Sequence, residues 1–157
     1  MALKDLCTKD AADKGIEIEL YHPGTGKPLG IVVTMLGSDS QEFIDADHKI
    51  KNRNLALAKK KRDFTLGMEP EAVEAAVVEK MTACFLGWKE AKADGTYKDT
   101  VEFEQGVELA ATKAEFKKII ADRGFFWMRA QLQEEMDRVT NFLPKQKGTS
   151  GSVPPGD

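Results

Sequence analysis

The stretch IEIELYHPGTGKPLGIVVTML, residues 16–36, decides the fold class. Ile16, Ile18 and Leu20 alternate with Glu17 and Glu19, so an extended chain here has one apolar and one charged face. In the second half Ile31, Val33 and Met35 alternate with Val32, Thr34 and Leu36. Between the two runs lies HPGTGKPLG, dense in residues that turn the chain. Two β-rich runs around a Gly/Pro segment predict a β-hairpin over 16–36, with a connection longer than a two-residue turn. A lone hairpin is marginal in water, so helices must cover its apolar face.

Outward from the hairpin, Gly37-Ser38-Asp39-Ser40 marks the change from strand to helix. Ser38, Asp39 and Ser40 are each suited to cap the helix predicted over 41–62, because a short oxygen side chain accepts from the orphan N–H groups of a first turn. Phe43, Ala46, Ile50 and Leu57 lie near helical spacing, with Ile44, Leu55 and Ala58 beside them. The other faces are charged, which leaves a narrow apolar stripe for packing on one side only. Met68-Glu69-Pro70-Glu71 announces a second helix over 70–86, with Pro in the first turn and acids at the positive helix end. Val73, Val77, Met81 and Cys84 form its stripe. KEAKADGTYKDT, residues 89–100, reads as a surface loop. A third helix is predicted over 103–122, with Gly106 an unfavourable residue near its start and Phe116, Ile119 and Ile120 on its apolar side. Phe125, Met128, Leu132, Met136, Val139 and Leu143 then step by threes and fours, predicting a last helix over 125–142. Gly124 either ends the preceding helix or lies inside a longer one.

Residues 1–15 are polar, with a short helical turn expected around Leu3–Cys7, and 144–157 are rich in Gly, Ser and Pro, as in a flexible tail. The expected fold is α+β and mainly α: an N-terminal β-hairpin packed on a bundle of about four helices, in one globular domain over 16–143. The chain of 157 residues is long enough for its own core, and 41% hydrophobic with 31% charged residues is a globular composition. A net charge of -3 gives no reason to expect nucleic acid or an anionic membrane as partner. No apolar run approaches the roughly 20 residues that span a bilayer. The start, MALKDLCTKDAADKG, lacks the apolar stretch of a signal peptide, so a cytoplasmic protein is expected. Cys7 and Cys84 are too few for a disulfide framework and lack metal-binding spacing; Cys84 is expected to be buried.

The search for chemistry finds no catalytic, metal-binding or cofactor-binding set. His22 precedes a proline in a turn, and His48 sits in a charged helix whose Asp45 and Asp47 do not share one face with it. No serine occupies a nucleophile elbow. Gly24-Thr25-Gly26-Lys27 is followed by Pro28 and a strand, where a phosphate loop needs a helix. Lys59-Lys60-Lys61-Arg62 reads first as a solvated helix end complementing the negative end of the helix dipole, and second as a contact to an acidic partner. The profile suits a binding or assembly protein better than an enzyme.

Several landmarks together resemble the tail assembly chaperones of tailed bacteriophages and prophages. They are the His22-Pro23-Gly24-Thr25-Gly26 turn, Gly37-Ser38-Asp39-Ser40 followed by Phe43, the basic helix KIKNRNLALAKKKR, Gly87-Trp88, the acidic-aromatic Val101-Glu102-Phe103, and Asp137-Arg138 with Asn141-Phe142-Leu143. The resemblance spans about residues 16–145 and rests on the order of the motifs. The chain departs from the pattern at Glu104-Gln105-Gly106, where related members carry a Pro and an Asn. The resemblance implies a chaperone that binds and shields the tape-measure protein during tail morphogenesis. It further implies self-association into a homo-oligomeric ring or spiral, and a longer form made by programmed frameshift near Lys145-Gln146-Lys147-Gly148. The implied partners extend to the major tail protein and exclude nucleic acid and membrane; the implied location is the host cytoplasm, not the mature virion. The alternative is a structural virion protein, such as a head–tail connector or tail-completion protein. Shielding a client requires exposed apolar contacts, for which Phe85, Trp88, Phe126 and Trp127 are the candidates. Against each stands internal packing, the commoner fate of an aromatic at helical spacing.

Overall fold

The computed structural model describes residues 2–144, so the tail expected beyond Pro144 lies outside the described residues. The hairpin forms as its alternation requires. Strand β1 (Ile16–Tyr21) pairs antiparallel with β2 (Pro28–Met35), with Ile16 opposite Met35 and Ile18 opposite Val33. These residues share one face, where Ile18, Leu20, Val33 and Met35 are buried. Glu17 points to the other face and pairs with Lys89 at 3.0 Å.

The sheet does not end with the hairpin. Strand β3 (Phe85–Ala91) runs antiparallel to β2, and β4 (Tyr97–Lys98) joins β3, giving the order β1-β2-β3-β4. This corrects the expected helix end at residues 85–86 and the expected loop over 89–100. Phe85 lies opposite Met35 and Trp88 opposite Val33, so both aromatics extend the apolar face of the hairpin. That gain comes from a strand some fifty positions away in the chain and outweighs local helical continuity.

The helix expected over 103–122 is also corrected. Its first half is a ribbon of β5 (Thr100–Glu104) and β6 (Val107–Ala110), turned at Gln105-Gly106 with Gly106 at φ 82°. Gly favours this left-handed turn conformation, and Val101 and Phe103 alternate with Glu102 and Glu104 at the strand period. The helical half survives as α4, introduced below. The last expected helix is shorter as well. It starts at Phe126 and ends at Asp137; Arg138 is extended and Val139–Phe142 form a 3-10 turn. Val139 is therefore 63% exposed and Phe142, off the predicted stripe, is buried. Gly124 sits in a 3-10 turn between the two helices, where the Asp122 carboxylate accepts from its N–H at 2.8 Å.

The helices are α1 (Lys9–Lys14), α2 (Gln41–Lys61), α3 (Pro70–Cys84), α4 (Lys113–Ala121) and α5 (Phe126–Asp137). A short 3-10 turn over Leu3–Leu6 precedes them. The fold is α+β and mainly helical. Helices α4 and α5 cover the sheet, α3 packs on α4, and α2 lies outermost on α3, burying only Ile50 and Ala58. On α2 the expected stripe is thinner still, since Leu55 and Leu57 are exposed; on α3 Val78 replaces the exposed Val73. The residues between Gly37 and Ser40 tie the layers. Ser40 caps α2 by accepting from Phe43 N–H at 3.3 Å, and Ser38 donates to Asp137 on α5 at 2.5 Å. Among the described residues no helix is long and apolar enough to cross a membrane.

Candidate partner-binding surface

The four aromatic candidates divide. Phe85 and Trp88 are 2% and 5% exposed, which corrects their expected role as surface contacts. Phe85 stacks on Phe116 of α4 with centroids 4.3 Å apart, and Trp88 meets both rings edge-on at 5.3 and 6.1 Å. These are favoured offset and T-shaped geometries, so the three rings form a packed centre. The indole N–H of Trp88 donates to the Leu109 carbonyl at 3.2 Å, which leaves that buried group satisfied.

Phe126 and Trp127, by contrast, open α5 at the surface. Phe126 is 60% exposed, with the Arg129 guanidinium 4.9 Å above its ring. Arg129 is held there by Glu74 of α3 at 3.1 Å. Trp127 is half-buried and turns into a cleft between α5 and the β5–β6 ribbon. The ribbon leans against β3, and its cross-strand pair Val101–Leu109 forms one wall of the cleft. Phe103 and Phe125 close one end, with ring centroids 6.1 Å apart. The cleft holds about 100 Å³ and is lined almost wholly by apolar side chains. Small-molecule sites begin at roughly 300 Å³, so this space is sized for an apolar side chain of another protein rather than for a cofactor. Phe103, Val101 and Leu109 are the members of this surface that the sequence reading missed, because a helix was expected there; the signal was the Val-Glu-Phe-Glu alternation.

A broader groove of about 890 Å³ runs between the N-terminal segment, the start of β1 and the chain near Pro144. Lys4, Asp10, Lys14 and Glu17 mix both signs of charge along it, and Asn141 is already occupied by the Glu135 carboxylate at 2.7 Å.

Several titratable groups elsewhere have structural work. His22 Nδ1 accepts from the N–H groups of Gly24 and Thr25 at 3.0 and 3.1 Å, bracing its own turn. Burial pushes the Cys84 thiol up to about 11, away from the thiolate a nucleophile needs. The ammonium of Lys51, at 2.7 Å, holds the Asp47 carboxyl below its usual range, with Lys80 of α3 on its other oxygen. Arg53 does the same for Glu79 through two hydrogen bonds of 3.2 and 2.7 Å. Among the described residues no group of three or more His, Cys, Asp or Glu side chains is placed to hold a metal. Comparison with protein-family models, with curated proteins and with solved structures finds no match to this chain.

Proposed function

We propose that this chain is a tail assembly chaperone of a tailed bacteriophage, binding and shielding the tape-measure protein as a homo-oligomeric coat and acting by contact without chemistry. The observation that carries this reading is the apolar cleft between α5 and the β5–β6 ribbon, sized for a side chain, lined by Trp127 and rimmed by the exposed Phe103. An amphipathic helix docks by setting apolar residues at successive turns into such a cleft. One contact of this size is weak. Many copies on one long client bind by avidity, because each added copy acts on an already tethered partner.

The motifs behind the resemblance support the same reading through the fold. Ser38 and Asp137, from two different motifs, meet in a hydrogen bond 99 positions apart in the chain. Asn141, from the same landmark as Asp137, returns to the end of α5 by donating to the Glu135 carbonyl at 3.0 Å. These residues act as scaffold, so their shared order speaks for a common architecture and leaves the binding to the cleft.

The test is coexpression with the tape-measure protein of the same genome, the client this reading assigns. This chain should raise the client's soluble fraction and copurify with it, and it should be missing from purified virions by mass spectrometry. Replacing Trp127 by Ala should weaken copurification with a small change in melting temperature. A client that is equally soluble without this chain, or a stoichiometric presence in mature particles, overturns the reading.

A further inference from the structure

Two apolar patches of opposite charge occupy separate elements, and each breaks a local rule in the direction that concentrates its own sign. The first is the free end of the α2–α3 pair. In the connection over 62–69, Phe64 and Met68 are 66% and 76% exposed, and Leu55 is exposed on the last turns of α2. Beside them Lys59, Lys60 and Lys61 end the helix. Arg62 follows in the left-handed region at φ 53°, the one non-glycine residue there among those described. Glycine is the usual residue at such a helix end, because a side chain is strained there. Arg62 accepts that strain and keeps a cation at the tip. Among the described residues none of these four cations is in an ion pair.

The second patch is the β5–β6 ribbon. Glu102 stands directly opposite Glu108, and like charges in that position destabilise a ribbon. Lys98, at 2.5 Å, and Thr100 hold Glu108. Among the described residues the carboxylates of Glu102 and Glu104 have no cation. Between them Phe103 is 48% exposed, and Val107 across the turn is 41% exposed. One patch thus has an apolar centre ringed by cations, and the other an apolar centre ringed by carboxylates.

We propose that the acidic β5–β6 ribbon of one copy docks on the basic α2–α3 end of a second copy. Complementary charge steers the encounter and fixes its orientation, while Phe103 and Phe64 supply the area removed from water. The two surfaces differ, so the contact is heterologous. After one contact one copy keeps a free ribbon and the other a free tip, so the series closes, reciprocally within a pair or as a larger ring, or continues as a helix. This inference deepens the coat proposed above, on whose self-association it rests, but its test needs no client.

The full chain is followed by sedimentation velocity across concentration and salt. It should associate as concentration rises and dissociate as salt screens the charges. A tip variant (Lys59→Gln, Lys60→Gln, Lys61→Gln, Phe64→Ser) and a ribbon variant (Glu102→Gln, Phe103→Ser, Glu104→Gln) should each be monomeric alone. Mixed in equal amounts they should form dimers and nothing larger, because each brings one intact patch. In a milder pair that avoids the apolar residues, Lys60→Glu and Glu104→Lys should each reduce assembly, and the two in one chain should restore it. A wild-type chain that stays monomeric, or a charge swap without rescue, overturns the contact. If the wild type is monomeric but the tip variant loses the client, the tip serves the client and only this inference fails. If assembly follows the variants but no client is ever bound, the inference stands and the proposed function fails.

Discussion

Ser40 joins the start of α2 to the end of α3. It is fully buried, accepts from Phe43 N–H at the start of α2, and lies 3.8 Å from the Cys84 sulfur at the end of α3. Replacing it by Ala removes the cap and leaves a buried backbone donor unmet, so Ser40→Ala should cost about 1–2 kcal/mol in chemical denaturation. Its neighbour Cys84 makes a second prediction. Burial raises the thiol from an ordinary 9.0 to about 11, so the folded state favours the protonated form. That stabilisation is whole below the unfolded pKa and is lost as pH rises through the folded one, a window of 9 to 11. At neutral pH a thiol reagent should label the exposed Cys7 alone in the native protein, and both cysteines in denaturant.

At the scale of elements, α2 is the most weakly held long helix. It buries only Ile50 and Ala58 over 21 residues, and its polar ties to α3 include the Arg53–Glu79 and Asp47–Lys80 pairs and the Lys80 ammonium 5.3 Å from the Phe43 ring. Exposed pairs of this kind contribute little each, typically below about 1 kcal/mol. The Lys51 hydrogen bond, with a smaller effect of Lys80, lowers the Asp47 pKa and the Arg53 hydrogen bonds lower that of Glu79, so these contributions are present above the ordinary carboxylate range and are lost as pH falls through the lowered values. Hydrogen exchange at pH below the ordinary carboxylate range should therefore open α2 before the sheet. If α2 and β2 amides lose protection together at every pH, this partition of stability is wrong. Low local stability in the helix carrying Lys59–Arg62 also suits a surface that adjusts to a partner.

Across the whole molecule, the aromatic residues separate stability from recognition. Phe85, Trp88 and Phe116 meet in the centre of the core, where truncation leaves a cavity; Phe116→Ala should cost about 3–5 kcal/mol. Phe126 has water on one side and a single cation contact with Arg129 on the other, so Phe126→Ala should shift stability by less than about 1 kcal/mol. Comparing melting temperatures of the two variants checks this directly. Equal losses would mean that Phe126 belongs to the core and not to a binding surface.

Local pattern was enough wherever an element's reason lies within its own segment. The alternation of Ile16, Ile18 and Leu20 with acids, the Gly/Pro turn after it, Ser40 before α2 and Pro70 opening α3 each carry a short-range cause, and those elements stand as read. The division of Phe85 and Trp88 from Phe126 was not legible, because burial depends on what arrives from elsewhere in the chain. Phe85-Leu86-Gly87-Trp88 continues a helical stripe by spacing, yet it becomes β3 because β2 offers an open edge and an apolar face to extend. Val101-Glu102-Phe103-Glu104 held the strand period in plain view, but only the Gly106 turn and the support of β3 make a ribbon more stable than a helix there. The sequence by itself determined the hairpin, the first long helices and the absence of a recognisable catalytic motif. Tertiary structure alone decided the third strand, the ribbon and the cleft they frame, because sheet edges and apolar faces are completed by partners distant in the chain, and no local window contains both halves of such a contact.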